Sequence, residues 1–161
     1  DHGRELAELI AYFPFVKTIS SLIITHNRLG PEGLQILATS PILPKVNYLH
    51  LGSNDLGNEG MAILAHAPIF SEVSTLNLEC NSITAQGANA LAQSPYLTKV
   101  EHLNLVDNRI GDEGAMAIAN SDNLSNLNYL HLGGNRIKSE EARSALKNSS
   151  KLAKLEKLKI F

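Results

Sequence analysis

Along the chain, a short stretch in which apolar and polar residues alternate gives way to a longer one with apolar residues at helical spacing, and this pair recurs about six times. The alternating stretches are ISSLIITHNRL (19–29), VNYLHLGSNDL (46–56), VSTLNLECNSI (73–83), VEHLNLVDNRI (100–110) and LNYLHLGGNRI (127–137), with a shorter LEKLKIF at 155–161. Period two predicts a short strand with one buried face. Gly33, Gly60, Gly87 and Gly114 open GLQILA, GMAILA, GANALA and GAMAIA, good helix formers with large apolar residues at pairs such as Leu34/Leu37, Met61/Leu64 and Ala88/Leu91. Each predicts a helix of about three turns. Pro41, Pro68 and Pro95 follow at one offset, with Asp122 in the fourth copy, and stop the helix. An apolar plug, Leu43, Phe70, Leu97 or Leu124, precedes the residue that opens the next strand, Val46, Val73, Val100 or Leu127. Strand, loop, helix, loop, strand is a parallel β/α coil.

One polar residue keeps its place throughout: Asn27, Asn54, Asn81, Asn108 and Asn135 stand 27 residues apart. Where the chain leaves each strand, backbone groups turn inward without ladder partners, and each buried unpaired group costs roughly 1–3 kcal/mol. An inward amide side chain offers both donors and an acceptor to them. All five asparagines therefore read as structural rather than catalytic.

LxxLxLxxN followed by x-I-x-x-x-G-A-x-A-L-A resembles the leucine-rich repeat, closest to the ribonuclease-inhibitor-like subtype, over residues 19–161. The resemblance implies an α/β fold: one right-handed solenoid over 1–161, arched like a horseshoe, with a parallel sheet on its concave face, helices on its convex face and the asparagines stacked as a ladder. The units are an N-terminal helix half-repeat at 1–18, repeats at 19–45, 46–72, 73–99, 100–126 and 127–154, and a terminal strand at 155–161. In the half-repeat Ile10 and Ala11 align with Leu37 and Ala38, Pro14 with Pro41, and Phe15 with Leu43. The last repeat departs from the rest, with Glu141 at the helix glycine and one extra residue, as terminal repeats often do. The N-terminal helix either caps the solenoid or is cut from a longer array, and the final strand ends equally abruptly, as in a fragment.

The composition agrees with layers of Leu, Ile, Val and Ala: 43% of residues are hydrophobic and only 5% aromatic. No apolar run reaches the roughly 20 residues of a membrane-spanning helix, and no signal-peptide pattern opens the chain. Cys80 is the single cysteine, which excludes an internal disulfide and suggests a reducing, cytoplasmic compartment. It has no companion for metal binding or nucleophilic chemistry, so it reads as a small packed thiol. The net charge is −2, yet residues 138–161 hold 7 Lys/Arg against 3 Asp/Glu. These are spread over a helix, a loop and a strand rather than along the sheet, so nucleic acid is not an expected partner.

Counting from each asparagine assigns every strand residue to the core or to the exposed sheet face. The first exposed column is Ser21, Tyr48, Thr75, His102, Tyr129 and Lys157; the second is Ile23, His50, Asn77, Asn104, His131 and Lys159; the third is Thr25, Gly52, Glu79, Val106, Gly133 and Phe161. His26, Ser53, Cys80, Asp107 and Gly134 form the rim. These positions vary between copies while the inward ones hardly change, so this face is free to be specialised.

Tyr and His supply amphipathic contact area at small entropy cost. The expected partner-binding set is Tyr48, His50, Thr75, Asn77, Glu79, His102, Asn104, Val106, Asp107, Tyr129 and His131. His50 and His131 share a column three strands apart, about 14 Å at roughly 4.8 Å per strand, too far to share a metal. Only a diagonal His102–His131 pair with Asp107 is conceivable, and His26 and His66 are expected at a rim and on the helix side. No catalytic triad, phosphate loop or HExxH motif is present, and no cofactor is expected.

The chain thus reads as a monomeric, non-enzymatic module that grips a folded protein partner. One alternative, which the subtype implies, is a regulator of an enzyme: an inhibitor or a GTPase-activating type of protein. For the latter, Arg28, Arg109 and Arg136 follow ladder asparagines and an arginine could stabilise phosphoryl-transfer charge. Another is a bacterial effector or sensor, acting in a host cytosol if secreted, because GDEGAxAIA-like repeats look like those of bacterial multi-repeat proteins. The last is a spacer within a longer chain.

Overall fold

The computed structural model describes residues 2–13, 19–40 and 46–161. Pro14, Phe15, Pro41 and Leu43 lie outside the described residues. The elements follow in strict alternation: α1 (His2–Tyr12), β1 (Ser21–Ile23), α2 (Gly30–Ala38), β2 (Tyr48–His50), α3 (Gly57–His66), a short 3₁₀ turn (Pro68–Phe70), β3 (Thr75–Asn77), α4 (Ala85–Ala92), β4 (His102–Asn104), α5 (Gly111–Ala119), β5 (Tyr129–His131), α6 (Glu140–Lys147) and β6 (Lys157–Lys159). All strand pairs are parallel and the sheet order is the chain order. Leu22, Leu49, Leu76, Leu103, Leu130 and Leu158 face one another in register beneath the sheet. This is an α/β solenoid of stacked coils.

Each coil closes around inward Leu, Ile and Val residues. Leu49, Leu51, Leu56 and Leu64 of the second coil and Leu76, Leu78, Ile83 and Leu91 of the third are all buried. Burying one such side chain contributes about 1.5–3 kcal/mol, and the layers merge into one continuous core. The plugs Phe70, Leu97 and Leu124 close the helix-to-strand loops from inside. Strands stack about 4.8 Å apart, whereas helices need roughly 10 Å, so stacking bends the coil with the sheet on the inner side.

The backbone beside each asparagine is left-handed on one or both sides. His26, Ser53, Cys80 and Asp107 before it, and Arg28, Asp55, Ser82 and Arg136 after it, have φ between 50° and 60°. In this tight arch the Asn81 side chain donates to the carbonyls of Leu51, Leu78 and Glu79 at 2.9–3.1 Å and accepts from the amides of Asn54 and Leu56 at 3.1 and 3.3 Å. Asn108 does the same for the coil before it, donating to Leu78, Leu105 and Val106 and accepting from Asn81 and Ile83. Every rung therefore ties its own turn to that of the preceding coil. Asn27 departs from the expected ladder: it is exposed, and among the described residues its side-chain amide donates to Thr25 O of its own turn rather than to another coil.

A second ladder, not expected from sequence, runs along the helix side. The hydroxyls of Ser40, Ser94, Ser121 and Ser149 donate to the carbonyls of Ala11, Ala65, Ala92 and Ala119, at the end of the preceding helix. Ser94 Oγ also accepts from the amides of Tyr96 and Leu97, closing the turn after α4. Ala67 holds this place in the second repeat and interrupts the ladder.

The helices span 8–11 residues and begin two or three residues before the glycines that were expected to open them. Gly33 and Gly60 sit inside the first turn, where an added Cβ would lie 2.7 Å from Leu29 Cδ1 and 2.7 Å from Leu56 Cβ; their role is close packing. Two helix entries are held from the coil below, while α6 is capped by its own Ser139 hydroxyl, which accepts from the Ala142 amide. Asn58 Oδ1 accepts from the amides of Thr84 and Gly87, and Asp112 Oδ1 from those of Lys138 and Ser139, which lowers the Asp112 pKa.

Replacing Asn81 by Ala strands several buried amides and carbonyls at about 1–3 kcal/mol each, so urea unfolding should show a loss of at least about 3 kcal/mol. Asn27→Ala, at an exposed position, should cost under about 0.5 kcal/mol; equal losses at the two sites would contradict the ladder. Asn58→Ala should cost about 1–2 kcal/mol, the magnitude of a lost cap, in the same assay.

Candidate functional site

The register aligns the exposed columns as counted from the sequence: Ser21, Tyr48, Thr75, His102, Tyr129 and Lys157 face one another in order, and so do Ile23, His50, Asn77, Asn104, His131 and Lys159. The face is graded. At the β1 and β2 end, Ile23 is 60% exposed and Tyr48 37%. Amides and a carboxylate occupy the middle, then His and Tyr, then two lysines on β6.

Glu79 organises the middle. Its carboxylate accepts from Asn104 Nδ2 at 2.9 Å and Asn77 Nδ2 at 3.4 Å, while His50 Nε2 stands 3.7 Å away. Asn77 and Asn104 are held from behind, each accepting through Oδ1 from the amide two residues on, of Glu79 and of Val106. His50 Nε2 is buried without a hydrogen bond, since 3.7 Å is beyond bonding range; the contact with the carboxylate is ionic only when the ring is protonated. The third column is less open than expected. Gly52 and Gly133 are buried, because neighbouring side chains lean over them: a Cβ at Gly52 would lie 2.9 Å from Glu79 Cγ, and one at Gly133 3.1 Å from His131 Nε2.

Between the first two columns lies a cleft of about 190 Å³ with Leu76 on its floor, lined by Tyr48, Thr75, Asn77, His102, Asn104 and Tyr129. His102 tilts against Tyr129, ring centroids 5.9 Å apart, and His131 meets Tyr129 edge-on at 6.3 Å. The ammonium groups of Lys157 and Lys159 stand 5.7 and 5.8 Å from the Tyr129 ring centre, within cation–π range. These lysines and Leu76 were absent from the expected site set, although the column count had placed both lysines on this face.

The His131 pKa lies below its ordinary value of 6.5, first because burial disfavours the imidazolium and next because Lys159 repels it; Asp107 and Glu79 oppose the shift. Of the expected set, Tyr48, Thr75, Asn77, His102, Asn104 and Tyr129 converge on the cleft, His50 and Glu79 flank it, and Val106 and Asp107 lie towards the rim. Among the described residues no group of three or more His, Cys, Asp or Glu could hold a metal ion. His66 is exposed on α3, its Nδ1 2.9 Å from Ala62 O.

Because His131 binds its proton less tightly in the folded chain, the unfolded chain takes up more protons as pH falls below about 6.5, and stability drops there. An NMR titration of the His131 ring should give a midpoint below 6.5, and Lys159→Gln should move it upward. An unchanged midpoint would contradict the contact.

The chain matches the family described as Leucine Rich repeat over residues 17–38, 43–65, 73–92 and 96–119. No curated protein matches it. Among solved structures it is similar to an internalin (inlF) from Listeria monocytogenes, with 21% identity and a TM-score of 0.49, over 78% of this chain and 30% of that one. It therefore spans under a third of the internalin's length. Domains of the family generally mediate protein–protein interaction. With four matched stretches that together cover more than half of its residues, the chain belongs to the leucine-rich repeat family.

Proposed function

We propose that this chain is a non-enzymatic interaction module that holds a protein partner against its sheet face. The observation that carries the reading is the cleft over Leu76, walled by Tyr48, His102 and Tyr129 and bordered by Asn77 and Asn104. At about 190 Å³ it falls below the roughly 300–1,000 Å³ of small-molecule sites and suits one anchoring side chain of a larger partner. Its walls belong to strands locked by the asparagine ladder, and its amides are bonded to backbone and to Glu79. Little side-chain freedom remains to be lost on association, which favours affinity.

Helices on the outer side of every described repeat support the ribonuclease-inhibitor-like subtype. The free thiol of Cys80 supports a reducing compartment. The GTPase-activating alternative has less support: Arg109 and Arg136 line a rim depression together with Asp112 and Glu113, whose carboxylates work against stabilising phosphoryl charge.

The test compares affinity capture by the wild type with capture by Tyr48→Ala/His102→Ala/Tyr129→Ala, after circular dichroism shows both folded. Proteins held by the wild type should be lost from this variant and kept by Asn89→Ala/Gln93→Ala on α4. Equal capture by the triple variant would overturn the reading.

A further inference from the structure

The cleft has a neighbour of opposite character to its apolar floor. Across the first column, beyond Tyr129, the exposed side chains of Lys157 and Lys159 converge on one ring. Among the described residues, neither lysine is paired with a carboxylate. The charge of Lys159 is felt at His131 on the next strand, where it disfavours the imidazolium. Glu79, after β3, carries a negative charge at the far side of the cleft from the lysines and is already engaged by Asn104, with His50 beside it, whereas Asp107, after β4, leans towards the fifth coil, where a Cβ at Gly134 would overlap its carboxylate. The sheet face thus runs from an apolar end through a one-residue cleft to an uncompensated positive end.

We propose, resting on the reading above, that the partner presents an extended acidic segment: a large apolar side chain seated over Leu76, and an Asp or Glu three or four residues away in sequence, reaching Lys157 and Lys159. The spacing follows from geometry. The cleft centres between β3 and β4, two and a half strand spacings from β6, or about 12 Å at roughly 4.8 Å per strand. An extended chain crossing the strands advances about 3.3 Å per residue, so three or four residues cover that span. The direction follows from charge: Glu79 repels an acidic group on the β3 side, and the lysines accept one on the β6 side. An ammonium close to an aromatic face keeps hydrogen-bonding capacity for a carboxylate, because it has three N–H donors and the ring does not engage them all.

Selection of random displayed peptides on the immobilised full chain tests this directly. Enriched peptides should carry an aromatic or large aliphatic residue with Asp or Glu three or four positions away, always on the same side. For the best peptide, fluorescence polarisation should show binding at least tenfold weaker to Lys157→Glu/Lys159→Glu, with recovery when the peptide's acidic residue is replaced by Lys. Tyr48→Ala/Tyr129→Ala should abolish binding. Neutral or basic selected peptides, or affinity indifferent to the lysine reversal, would overturn the acidic segment while leaving the face as the binding site. Binding that survives the Tyr48 and Tyr129 changes, or no enrichment at all, would overturn both. A dimer of the chain alone that the lysine reversal abolishes would assign the face to a second copy and also refute the proposal.

Discussion

The solenoid depends on one bargain between a side chain and a backbone. Ending a three-residue strand inside a coil forces the chain through left-handed turns at residues such as Ser53 and Asp55 or Cys80 and Ser82, and these turns aim amides and carbonyls into an apolar interior. Water cannot reach them. Asn54, Asn81, Asn108 and Asn135 pair them instead, each tying its own turn to the coil before. A shorter or apolar side chain would leave the arch unsatisfied, and a charged one would be buried at far greater cost.

Because each rung joins two coils, the asparagines also set the phase of the stack. With coils locked in register, Tyr48, Thr75, His102 and Tyr129 fall into one row, and the cleft over Leu76 exists only because of that alignment. The serine ladder does for the helix side what the asparagines do for the sheet side, joining the turn after each helix to the end of the helix below. The proposed binding face then requires no local scaffold of its own. It is written in residues whose only duty to the fold is to stand on a strand.

The fold was legible because its two periodicities and its 27-residue spacing are written in residue type: alternating Leu, then Ala and Leu at helical spacing, then Asn. The columns were legible for the same reason, since position along a strand decides which face a side chain takes. What residue type does not encode is how neighbouring side chains lean. Gly52 and Gly133 are buried because Glu79 and His131 fold over them, and Glu79 became a hub through contacts spanning three strands. Asn27 is identical in type to the other asparagines and differs in its exposure and in bonding within its own turn. Ser40, Ser94, Ser121 and Ser149 each stand six residues before the residue that opens the next strand, but Ala67 breaks the series, and a serine beside a helix-stopping proline is common in any loop. Lys157 and Lys159 were placed on the face correctly; their convergence on Tyr129 depends on side-chain reach.

The ladder pre-forms the sheet face before any partner arrives, as the proposed binding mode requires. Native-state hydrogen exchange of the free protein tests it at the amides of Asn54, Leu56, Asn81, Ile83 and Ile110, each donated to a ladder oxygen. These amides should exchange only through global unfolding, with protection equal to the slowest amides of the central strands. Exchange as fast as that of freely solvated loop amides would show the arches opening locally and would contradict the account.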